Sequence, residues 1–253
     1  MYEFQLMLNR GRTRQQFAER KFGKALQADL GVDTDIWDGA DGVTSTPIWE
    51  RPTQARKHNI KSTDAADALT GTGMQTMRIY GLKDWNTFEV FEDINLDGVN
   101  DVETAREYVI IYRKKGKTWG SGRKNAGIIT STAQTDDTIT AVIQPGNNQS
   151  LMAIFAVPSG YAYGLTQIRS LILKASGSAD IDTDMTLFVM ENADQVNAGW
   201  IVKDVFQVAS DAPLDDEYSP PDRWVGPAII KMQVNANANA VVTGSINGIV
   251  VHI

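Results

Sequence analysis

From about residue 60 onward, apolar and polar positions alternate along most of the chain. Met77-Arg78-Ile79-Tyr80-Gly81-Leu82 and Trp85-Asn86-Thr87-Phe88-Glu89-Val90-Phe91 both follow this pattern, and the Lys83-Asp84 pair between them is turn chemistry, so the stretch predicts a β-hairpin. Further β-branched or alternating runs follow at Glu107–Tyr112, Gly127–Thr132, Leu151–Val157, Gly164–Lys174, Met185–Met190, Ile201–Ala209, Ala228–Val234 and Ser245–Ile253. Strong strands separated by turn signals predict a mainly β protein, an antiparallel β-sandwich of jelly-roll-like form. Pro145-Gly146-Asn147-Asn148 is a loop by composition and divides a first β region, 60–145, from a second, 146–253; the two form either subdomains or one sandwich. Asn235 to Ala240 alternates Asn and Ala and reads as a hairpin end.

The first 59 residues read differently. Phe17, Lys21, Lys24 and Ala25 share helical spacing with Leu26 and Leu30, Thr13 is a candidate cap and Gly31 a stop, so Thr13–Leu30 predicts a short amphipathic helix. Arg10, Arg12, Arg14, Arg20, Lys21 and Lys24 give it a basic face. An irregular segment rich in Asp, Gly, Thr and Pro follows, carrying Trp37 and Trp49, side chains that are costly to leave in water. Residues 1–59 are therefore expected to act as a helix and extended attachment arm, with Arg14, Phe17, Lys21, Trp37 and Trp49 as subunit contacts; a helix packed on its own domain is the plainer alternative. The β body is expected to remain soluble without residues 1–35.

Composition narrows the chemistry. The 253 residues include no cysteine and only two histidines, His58 and His252, so disulfides, thiol nucleophiles and thiolate metal sites are excluded. A net charge of -7 argues against a general nucleic-acid surface. No apolar run approaches the ~20 residues that span a bilayer, and no signal-peptide pattern opens the sequence, so no membrane partner is expected.

Asp93-Ile94-Asn95-Leu96-Asp97-Gly98-Val99-Asn100-Asp101 places side-chain oxygens at alternate positions before a glycine, as a calcium loop does, making Asp93, Asn95, Asp97 and Asp101 candidate ligands. The closing acid of an EF-hand is missing, since Thr104 stands at the twelfth position, and an Asp-Gly turn between strands explains the same residues. Asp180, Asp182 and Asp184 alternate as on a solvated edge, whereas Asp211, Asp215, Asp216 and Glu217 before Pro220-Pro221 read as a surface loop. Gly120 to Asn125 lacks phosphate-loop spacing. With 31 acids, no carboxylate pair stands out for hydrolysis. Trp119, Trp200 and Trp224 are candidate aromatic platforms, with core or interface anchoring as the alternative for each.

Several phrases resemble a group of virion structural proteins of tailed phages, particularly short-tailed phages of marine bacteria. They are Ile36-Trp37-Asp38-Gly39, Thr70-Gly71-Thr72-Gly73, Gly81-Leu82 with Trp85-Asn86, Asn125-Ala126-Gly127-Ile128-Ile129, Ile143-Gln144-Pro145-Gly146, Gln149 to Phe155 and Val157-Pro158-Ser159-Gly160. The resemblance implies a non-enzymatic capsid decoration, head-fibre or neck and tail-attachment subunit, oligomeric, with a trimer among the options. Its partners would be other virion subunits, either major capsid or portal and tail proteins, in a particle assembled in the host cytoplasm. No cofactor is implied. A carbohydrate- or receptor-binding β module is the alternative.

Overall fold

The computed structural model describes residues 16–29, 31–41, 44, 46–173, 181–210 and 212–253. Among them every regular element is a strand, and the sheets are antiparallel. The chain divides into two units. The first takes in the described residues of Met1–Phe22 and Ala28–Ile36 together with Ala153–Ile253; the second comprises Gly23–Gln27 and Trp37–Met152.

The first unit holds two sheets. One runs in the order β1 (Gln16–Ala28), β16 (Ala240–His252), β11 (Tyr161–Leu173), β14 (Leu214–Val225). The other runs β10 (Ile154–Val157), β15 (Ala228–Ala236), β12 (Asp182–Glu191), β13 (Trp200–Ala209), with β2 (Thr34–Asp35) also paired to β15. Alternation places Ile230, Met232 and Val234 on one face of β15 and Val242, Ile246 and Val250 on one face of β16, and all are sequestered. Phe155 of β10 meets Tyr163 of β11 with ring centroids 5.3 Å apart. Tyr163 in turn lies over Gly248, where an added Cβ would come within 2.3 Å of the ring. That close approach sits opposite the register shift between Leu165 and Gln167.

The second unit also holds two sheets. Their orders are β6 (Val102–Glu103), β3 (His58–Ser62), β8 (Ile129–Ala133), β9 (Ile139–Ile143), and β5 (Val90–Asn95), β4 (Met74–Leu82), β7 (Ile110–Trp119). The expected hairpin is β4 with β5, Gly81 opposite Val90, but its loop is longer than the Lys83-Asp84 turn read from the sequence. Asp84 shapes that loop by accepting from the Asn86 N–H (2.8 Å) and the Thr87 hydroxyl (3.0 Å).

Three expectations are corrected. The helix at Thr13–Leu30 is absent where the chain is described: Gln16–Ala28 is a strand, in which Lys21, Gly23, Ala25 and Ala28 are buried. Its inward positions are small or charged, which hid the period of two. A clear jelly roll is not formed either, because the strands divide among four sheets. Finally, the acidic, proline-bearing stretch before and through Pro220-Pro221 is strand β14 and not a loop. Pairing with β11 covers 214–217 and 222–225 and skips the residues between, and an edge strand tolerates proline because its outer N–H groups need no partner.

Candidate functional site

Of the candidate calcium ligands, Asp93 is engaged by neighbouring cations. Asp93 on β5 accepts two hydrogen bonds from the Arg78 guanidinium, at 2.7 and 2.9 Å, and a third from Lys117 at 2.6 Å. These cations hold its carboxyl well below the usual range. Asn95 lies opposite Thr76 in the ladder. Asp97 and Gly98 form a turn: Gly98 has φ +59°, its N–H donates to the Asp67 carbonyl, and Asn100 donates back to Asp97. Asp101 is exposed. Among the described residues no three acidic or imidazole groups converge as a metal site.

The expected attachment residues separate. Arg14 lies outside the described residues, as do Asp180 and Asp211. Phe17 is half-buried on β1, and Lys21 is buried, paired with Glu19 at 2.9 Å and placed 5.2 Å from the Phe155 ring centroid. Trp37 and Trp49 are both buried in the second unit. Trp37 donates to the Thr46 carbonyl at 3.0 Å, and its indole occupies the space where a Cβ on Gly39 would sit, at 2.2 Å. Trp49 donates to the Thr140 carbonyl at 2.9 Å. Of the other tryptophans, Trp224 is buried, Trp200 covers a lysine, and Trp119 remains 37% exposed.

Buried ionic groups gave no motif in the sequence. In the first unit Lys231 of β15 and Asp35 of β2 form a sequestered pair at 2.7 Å. Gln233 supplies a second donor to Asp35 at 3.0 Å, and the Trp200 ring lies 4.5 Å from the ammonium. In the second unit Lys114 is fully buried and donates to the Ile129 and Ala141 carbonyls at 2.8 and 2.9 Å, and burial pushes its pKa well down. Asp38, also buried, is pushed up by desolvation although the Leu151 N–H donates to it. Asp67 accepts from the Ser62 hydroxyl and from the N–H groups of Met74, Ala126 and Gly127, all within 2.7–2.9 Å. His58 bonds the Arg56 carbonyl through Nδ1 at 3.0 Å, which fixes the tautomer and leaves Nε2 buried without a partner; burial lowers its pKa to about 4. Each of these groups is tied to backbone or to neighbouring side chains of its own unit, which is the arrangement of a structural pin.

What faces water is the edge of the first unit. β13 is the last strand of its sheet, and three apolar β-branched side chains on it are exposed: Ile201, Val202 and Val205, the last at 57%. The neighbouring edge strand β14 is joined to it through Tyr218, which donates to Asp204 at 3.0 Å. β14 is protected by Asp215, Asp216, Glu217 and two prolines; β13 has no proline and carries only Lys203 and Asp204.

No protein-family model matches the chain, and no curated protein is significantly similar to it.

Proposed function

We propose that this chain is a structural subunit of a tailed-phage particle, most simply a capsid decoration or head-associated protein, which acts by packing against neighbouring subunits and not by catalysis. In this reading the two sheets of the first unit are its sandwich body. The observation that carries the reading is strand β13: a ten-residue sheet edge with Ile201, Val202 and Val205 open to solvent. An unguarded apolar edge promotes aggregation in a free monomer and is stable when a partner covers it. The resemblance of residues 36–175 to virion proteins supports the same conclusion, and it makes a homo-oligomer or a capsid, portal or tail subunit the natural partner.

Two measurements test it. Sedimentation velocity of the isolated chain should show an oligomer that the pair of substitutions Val202→Lys and Val205→Lys converts to monomer. Labelled antibody against the chain should decorate intact particles. A monomeric wild-type chain together with unlabelled particles would overturn the reading.

A further inference from the structure

We propose that the open face of the β5–β4–β7 sheet binds single-stranded nucleic acid. The chain as a whole is acidic, and its net charge of -7 argues against such a partner, but the charge is not evenly spread. Period-two alternation sends Met77, Ile79, Ile94 and Lys114 into the core and leaves Arg78, Tyr80, Phe91, Asp93, Arg113, Lys115 and Lys117 on the other face. That face carries four cations against one carboxylate, together with two aromatic rings. Tyr80 and Phe91 are cross-strand neighbours with centroids 6.3 Å apart, and Phe91 is 51% exposed.

The face is built in advance. Both oxygens of Asp93 grip Arg78, which holds its guanidinium 4.1 Å from the Phe91 centroid, and Lys117 closes on the same carboxylate. The result is a fixed stack of ring and guanidinium flanked by ammonium groups. Lys115 is exposed, and no carboxylate among the described residues pairs with it. Unstacked bases dock on aromatic and guanidinium planes while cations take the phosphates. A duplex hides those base faces, so the exposed ring and guanidinium would have nothing to stack on. An acidic polysaccharide would need free acceptors for its hydroxyls. Here Asp93 is consumed by Arg78 and Lys117, and the Thr76 and Thr118 hydroxyls bond each other at 2.7 Å.

Fluorescence anisotropy of a labelled oligodeoxythymidine with the full chain tests this. Saturable binding should weaken as salt rises, with a slope of roughly two to three released counterions. The exposed pair Lys115→Glu and Lys117→Glu should lower affinity about tenfold or more and flatten that slope, while Phe91→Ala should lower affinity and leave the slope unchanged. Far-UV circular dichroism checks that each variant is folded; Lys115→Glu alone, at an unpaired exposed site, serves if the double variant is not. Absence of saturable binding, wild-type affinity in Lys115→Glu, or equal competition by duplex DNA or polygalacturonate would overturn the proposal.

Discussion

At the scale of single residues, the second unit is organised by polar groups that have no route to water. Asp67 shows this most clearly, since four donors from three separate stretches of chain converge on one carboxylate. Asp67→Asn puts an amide donor among those donors and removes the charge they were arranged to meet. The variant should lose about 3 kcal/mol in urea denaturation; a loss below ~1 kcal/mol would show that the loops hold without it. His58 gives a pH signature. Between pH 6.5 and about 4 the unfolded chain carries a proton on this ring that the folded chain refuses. Its contribution is therefore complete above pH 6.5 and is lost as pH falls toward 4, amounting to about 3 kcal/mol. Asp38, with its raised pKa, gains its proton more readily when folded and pulls the opposite way. Comparing wild type with His58→Asn at pH 7.5 and pH 5 cancels the Asp38 effect, and the variant should show the smaller loss of stability on acidification. Equal losses would mean that the ring is not held neutral.

At the scale of strands, the pair between Asp35 and Lys231 fixes the two-residue β2 against β15. Asp35→Asn strands a buried ammonium and should cost about 3 kcal/mol or more, whereas Lys231→Met combined with Asp35→Asn should recover much of it. A double-mutant cycle measures the coupling, and additive losses would refute the pin. The same strands explain what could be read from the sequence. β4, β8, β12 and β15 were legible because each places β-branched or long apolar side chains on alternate positions. β1 was not: its buried face is Lys21, Gly23, Ala25 and Ala28, so the hydrophobic signal lay in the half-buried Phe22 and Leu26, whose spacing also fits a helix. β14 was missed because an edge strand need not be apolar and can carry proline. The polar pins were illegible for a different reason: Asp35, Asp67 and Lys114 acquire their roles from partners up to 198 positions away, and nothing local marks them. Since β2 and the N-terminal part of β1 belong to the first unit, removing residues 1–35 would strip a strand from each of its sheets. Removing 1–15 alone leaves β1 whole and is the cleaner test of attachment: incorporation into particles should fall, and normal incorporation would refute an attaching role.

At the scale of the whole molecule, most of the second unit is a single uninterrupted stretch, whereas the first is assembled from segments on both sides of it. Residues 37–152 expressed alone should therefore give a dispersed proton NMR spectrum characteristic of a folded β protein; a collapsed spectrum would show that the stretch depends on the remainder. The sheet order adds a temporal consequence. β1, the earliest described strand, lies beside β16, the latest, so during synthesis it waits for a neighbour that leaves the ribosome more than two hundred residues later. The middle stretch can close its own ladders in that interval. The sheet that carries the unguarded edge on β13 is completed only when β15 emerges, after that middle stretch, so its edge stays open until other subunits reach it.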